Sequence, residues 1–186
     1  LFKFILYHSI WINFMRETSK LNFMREKIFL AEHYQKKIES SGYIIIPAID
    51  DDLFKDIVQL FNDFGYLDSG FKDKFRTSLF NNTPEERINL TERSAAITKE
   101  LVDKLFIDYK LLFADLFEKL PHGIETPIHQ HPTFVDESKY VVYSIWIPLL
   151  DTDINSGTFT LVEGSHKIDA GIRTRQNSSI EKLKAL

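Results

Sequence analysis

The residues best suited to chemistry lie between Ile128 and Lys167. There the run I-H-Q-H-P-T-F-V-D-E sets two imidazoles, His129 and His131, two positions apart, with Asp136 and Glu137 close behind. On a strand, residues i and i+2 point to the same face, so the two histidines aim one way. Imidazole is a common ligand for divalent metals, and two on one face make half of a metal site. Taken alone, such a pair is more often non-catalytic, so the other half has to come from elsewhere. His8, His33 and His122 have no partner at ligand spacing and read as surface or interface residues. His166, in the loop G-S-H-K, reads as a structural residue bonded to backbone.

The bulk of the chain sets the frame for that pair. Its 186 residues have room for one domain with a proper core. There is no cysteine, which excludes disulfides, thiolate nucleophiles and cysteine-bound zinc, and fits a reducing, cytoplasmic setting. A net charge of −4 without an arginine-rich patch gives no electrostatic reason to expect nucleic acid. The opening L-F-K-F-I-L-Y-H-S-I-W-I-N-F is too short to span a membrane and lacks a secretory cleavage site. The expected partner is a small molecule, with neither nucleic acid nor membrane involved.

The same opening stretch looks foreign to the rest. The pentapeptide N-F-M-R-E occurs twice, at Asn13–Glu17 and Asn22–Glu26, without periodic continuation. Residues 1–23 are therefore expected to be a non-native or flexible extension, translated from non-coding sequence ahead of a start at Met15 or Met24. The alternative is a genuine amphipathic N-terminal helix. Residues 24–186 form the expected domain.

Within it, Met24 to Ser41 carries Ile28, Phe29, Leu30, Tyr34 and Ile38 on one helical face, and Gly42 supplies the stop. Tyr43-Ile44-Ile45-Ile46, ended by Pro47, reads as a short buried strand. Asp50, Asp51 and Asp52 open a helix whose apolar stripe is Leu53, Phe54, Ile57, Val58, Phe61 and Phe64, closed by Gly65. Residues 66–83 read as loop. Pro84 to about Phe106 reads as helix, with Ile97, Leu101, Val102 and Leu105 on one face. Tyr109 to Leu120 satisfies helix and buried strand about equally. Beyond Pro121 short strands are expected near 125–131, 140–148 and 158–163, the last two linked in a hairpin-like way by Asp151–Gly157. Helices first and strands after suggest an α+β or β-sandwich architecture with an N-terminal helical cover.

Four blocks in order carry a resemblance: G-Y-I-I-I-P-A-I, H-Q-x-P-T-F-V-D-E, S-I-W-I-P-L-L-D-T and G-S-H-K. Together they resemble the phytanoyl-CoA dioxygenase family over about two-thirds of the chain, from Ser41 to Lys167. Each block is loose by itself; the order is the specific part. The resemblance implies a double-stranded β-helix (a jelly-roll, cupin-like core) with N-terminal helices packed on it. It also implies an Fe(II)- and 2-oxoglutarate-dependent oxygenase that hydroxylates a small organic substrate.

Carried over residue by residue, His129 falls on the first iron ligand of that family. His131 falls where the family has aspartate, so a neutral imidazole replaces a hard anionic oxygen. Asp136 or Glu137 is the alternative source of that carboxylate, although both lie beyond a strand-neighbour position of the histidines. Lys119 is placed to offer charge to the 2-oxoglutarate carboxylate, and Trp146 to line the cosubstrate pocket. The plainer alternatives are a solvated lysine and a core tryptophan. The family's second ligating histidine and its 2-oxoglutarate arginine lie well downstream of the G-S-H loop. This chain has no histidine after His166, and Arg173 and Arg175 are too close to that loop. The expectation is thus a C-terminally incomplete jelly roll, a fragment of an oxygenase. The alternatives are a catalytically inactive jelly-roll binding module, or a cupin-type enzyme with a His-only metal site.

Overall fold

The computed structural model describes residues 7–17, 27–64, 75–119, 129, 134–136, 139–153 and 158–167. Its elements are β1 (Tyr7–Glu17), α1 (Glu32–Ser41), α2 (Asp51–Asp63), β2 (Phe75–Thr77), α3 (Ser78–Asn81), α4 (Pro84–Leu105), β3 (Lys110–Lys119) and β4 (Tyr140–Pro148), followed by a 3-10 turn at Ser165–Lys167. The architecture is α+β: helices against one four-stranded antiparallel sheet of order β2-β3-β1-β4.

Two helices follow directly from local chemistry. The Asp50 side chain accepts the Leu53 N–H at 2.9 Å and caps α2, with Asp51 and Asp52 in its positive first turn. Ile57 and Leu60 of α2 are buried, with Leu53, Val58, Phe61 and Phe64 packed beside them. Phe54, expected on that stripe, faces outward. α4 opens with a capping box: Glu86 N–H donates to Thr83 Oγ1 and Thr83 N–H to Glu86 Oε2, with Pro84 inside the first turn. Its buried line is Leu90, Ser94, Thr98 and Leu101, at helical spacing. The small side chains at 94 and 98 let α4 settle closely on β3 and α2. Thr98 Oγ1 is satisfied by the Ser94 carbonyl at 2.7 Å.

α1 ends as expected, with Gly42 at φ 82° donating its N–H to the Ile38 carbonyl. It starts later than the apolar pattern suggested. Ile28 and Phe29 precede the helix, where the Gln35 carboxamide oxygen accepts both of their N–H groups and Phe29 bridges to Phe106. Those apolar residues serve a small aromatic cluster instead of a helical stripe.

The largest difference from expectation is the N-terminal stretch. Tyr7–Glu17 is neither a flexible extension nor a helix; it is a central strand, paired with β3 on one side and β4 on the other. Ile10, Ile12 and Phe14 are at most 1% exposed and form the middle of the core. They alternate along β1, the period of a half-buried strand. The ambiguous segment after Tyr109 is β3, and it becomes a strand because β1 and β2 supply its hydrogen-bond partners. Asn13 opposes Phe113 while Phe14 opposes Leu111, so Leu112 is the extra residue of a β-bulge. The bulge keeps Leu111, Ala114 and Leu116 all on the helix side.

Other strand expectations fail. Tyr43–Ile46 is in no strand and pairs with none among the described residues, and Ile45 is 85% exposed. Residues 158–163 form no strand, so the hairpin expected with β4 is absent among the described residues. The loop expected over 66–83 holds β2 and α3 at its end. The strand near 125–131 and Gly65 lie outside the described residues, apart from His129, which is in no regular element. No second sheet is present among the described residues.

Candidate functional site

The sheet has two unlike faces. Ile10, Ile12, Phe14, Ala114, Leu116, Ile145 and Ile147 face α2 and α4. The intervening residues, Asn13, Phe113, Asp115, Phe117, Ser144 and Trp146, face the other way. That second face is aromatic and partly open. Phe117 packs on Phe75 of β2 with ring centroids 5.4 Å apart. Two residues from outside the sheet rest on it: Phe134 edge-on to Phe113 at 4.9 Å, and Phe159 on Trp146 at 5.6 Å.

Two polar inserts break the aromatic surface. Across β1 and β4, Ser144 Oγ donates to Asn13 Oδ1 at 2.6 Å, with Asn13 only 5% exposed and Ser144 open to solvent. Across β2 and β3, the buried Asp115 carboxylate accepts from Thr77 Oγ1, Ser78 Oγ and the Leu79 N–H at 2.6–2.9 Å. Burial raises the Asp115 pKa, and the bonds from Ser78, Thr77 and the backbone only partly offset that. Ser78 Oγ in turn accepts the Leu116 N–H at 2.9 Å, so the cluster ties α3 to β3. It is a structural knot, closed to ligands.

The described residues among those expected from the sequence do not gather at one place. His129 is exposed. His131 and Glu137 lie outside the described residues. Asp136 is committed to a turn: its carbonyl accepts from Lys139 and Tyr140, and its carboxylate meets Lys139 Nζ at 3.2 Å. Lys119 ends β3 level with Tyr7, whereas Trp146 is level with Trp11 on β4. Both belong to the open face, but two strand spacings and four residues separate them, about 15 Å of backbone geometry. Lys119 thus sits at the rim and Trp146 near the centre. His166 holds backbone as expected: its Nε2 pairs with the Glu39 carbonyl at 3.1 Å, and Gly164 N–H donates to Ser41 O. The ring fills the space above Gly42, where a Cβ would lie 2.4 Å from His166 Nδ1.

Among the described residues no three His, Asp or Glu side chains gather as a metal site, so these residues by themselves do not fit an iron centre. Two surface hollows, of about 410 and 270 Å³, are elsewhere. One lies beside Asp63, Glu86 and Arg93, the other between Asp52 of α2 and Lys104 of α4. Among the described residues no helix is long and apolar enough to cross a membrane.

Sequence reasoning missed Asn13, Asp115 and Ser144. The available signal was a polar residue inside an otherwise apolar alternation, as in Ile10-Trp11-Ile12-Asn13-Phe14. Comparison with protein-family models, with curated proteins and with solved structures finds no match to this chain.

Proposed function

We propose that this chain forms the helix-backed sheet of a jelly-roll oxygenase of the phytanoyl-CoA dioxygenase type, using Fe(II) and 2-oxoglutarate and acting on a small organic substrate. The observation that carries this reading is the sheet's asymmetry. One face is sealed by α2 and α4, while the other presents half-buried aromatics to the segment that follows His129, through the Phe134–Phe113 contact. A jelly-roll enzyme works on the sheet face away from its helical cover, and the four sequence blocks point to the same family. Iron enters the reading only through His129 and His131; the open face contributes an apolar wall that excludes water and a hydrogen-bonding floor.

A second reading, a jelly-roll binding module without redox chemistry, is favoured by the lack of any three gathered His, Asp or Glu side chains among the described residues. Anaerobic titration with Fe(II) or Co(II), followed by a 2-oxoglutarate consumption assay, separates the two. The oxygenase reading expects stoichiometric metal binding that is lost in His129→Ala and in His131→Ala, together with 2-oxoglutarate turnover. Metal binding unchanged by both substitutions would sink the assignment of these ligands. Metal binding without 2-oxoglutarate consumption favours a His-only metal site, and no metal binding by a folded chain leaves the binding module.

A further inference from the structure

We propose that residues 158–167 form a strap that controls solvent access to Trp146, held shut by a latch on the C-terminal end of α1. The inference stands apart from the oxygenase reading and needs neither iron nor 2-oxoglutarate. Contacts at its two ends position the strap. At the start, Thr158 N–H donates to the Asp153 carbonyl at 3.1 Å, and the Phe159 ring lies on Trp146 with centroids 5.6 Å apart. Trp146 is half-buried, and its indole Nε1 is shielded from solvent. At the far end, Gly164 N–H donates to Ser41 O at 2.9 Å, and His166, in the 3-10 turn, donates from Nε2 to Glu39 O at 3.1 Å. Between the two ends, Leu161 and Val162 are exposed and belong to neither apolar cluster.

The latch is shaped around the imidazole. A carbonyl only accepts, so Nε2 carries a proton, while Nδ1 is buried against Gly42. Gly42 keeps that space open because it has no Cβ, and its φ of 82° ends α1 at the same residue. Helix terminus and strap therefore share one anchor. Magnitudes decide how the two ends act together. An aromatic pair or a single hydrogen bond shifts an equilibrium by about tenfold at most, and ordering one backbone residue costs about as much. Neither contact alone suffices to order the stretch between Phe159 and Gly164. Made together, each end raises the effective concentration of the other, so the strap closes and opens as one unit. The Lys37–Glu163 pair is exposed on both sides and adds little.

The test is hydrogen exchange on the whole isotope-labelled chain, read at the Gly164 amide and at the Trp146 indole N–H. Trp146→Phe assigns the indole signal. His166→Ala should speed exchange about tenfold at Gly164 and at least about threefold at Trp146. Phe159→Ala removes the cover and, because coupling is reciprocal, should also speed Gly164 about threefold. This second variant decides the matter if His166→Ala does not fold. Lys37→Ala should change both rates by less than about twofold. In a folded variant, faster exchange at one end with the other unchanged overturns the strap. An unchanged Gly164 rate in His166→Ala, or equal opening by Lys37→Ala, overturns the latch.

Discussion

The two faces of one sheet differ more than any two elements of this chain. On the helix side, Ile10, Ile12, Phe14 and Leu116 are buried and apolar, with the Arg76–Glu118 pair at the β2–β3 edge as a polar exception. On the other side Asn13, Asp115 and Ser144 interrupt half-buried aromatics. Apolar burial contributes roughly 25 cal/mol per Å², so the first face concentrates stability. The second forgoes part of that contribution, since Asn13 and Asp115 are buried in hydrogen bonds and Ser144 is exposed. Since β1 supplies alternate residues to both, a single strand couples the core to the candidate site.

Removing that strand is the severest way to break the comparison. A chain starting at Met24 lacks the sheet's middle, leaving β3 and β4 without the partner they share. It is expected to lose cooperative thermal unfolding by circular dichroism altogether. A sigmoidal transition like that of the full chain would show that β1 is dispensable and restore the extension reading.

Next in size, Ile12→Ala or Leu116→Ala on the helix side should cost about 2–5 kcal/mol in urea unfolding. Ser144→Ala on the opposite face should cost under about 1 kcal/mol. Equal losses would mean that both faces are core, and the open face would no longer be a candidate site.

Smaller again is Gly42→Ala, expected to cost more than about 1 kcal/mol because the residue sits at φ 82°. The added Cβ also meets His166, so the loop from Glu163 to Lys167 should lift from α1. Faster hydrogen exchange at Gly164, whose N–H bonds Ser41 O, would report that release. The Lys37–Glu163 pair at 3.6 Å is exposed on both sides and does not hold the loop alone. Unchanged exchange at Gly164 would show that His166 is not its anchor.

The subtlest test concerns Asp115. Its carboxyl ionises at higher pH in the fold than in the unfolded chain, because burial outweighs the hydrogen bonds from Ser78, Thr77 and Leu79. Its contribution is therefore fully present below the ordinary carboxylate range, about pH 4, and declines as pH rises through the folded value. Asp115→Asn should flatten that decline in urea midpoints measured across this range. A variant whose midpoint still falls identically with pH would assign the slope to other groups.

Legibility tracked the range of the signal. α2 and α4 were readable because caps and stripes are written within one turn of each end: Asp50 for α2, Thr83 with Glu86 for α4. β4 was readable from its β-branched and aromatic run. Tyr43–Ile46 has the same composition yet pairs with no strand among the described residues, because a strand needs a neighbour and composition does not supply one. β1 was misread because its repeat and aromatic bias drew attention away from a plain alternation at Ile10, Ile12 and Phe14. The histidine pair was legible as residue types, but only His129 lies among the described residues, where it is exposed.

By itself, then, the sequence determined where α2 and α4 begin, which residues are apolar, that Gly42 stops α1, and which side chains are capable of holding metal. Those properties are local, and a few neighbouring residues specify them. Only the tertiary structure decided that Tyr7–Glu17 is central, that Tyr109–Leu120 yields a strand, and that Asn13 meets Ser144 across 131 positions of chain. Such pairings depend on hydrogen bonds and packing between distant segments, and these have no signature until both partners are in place.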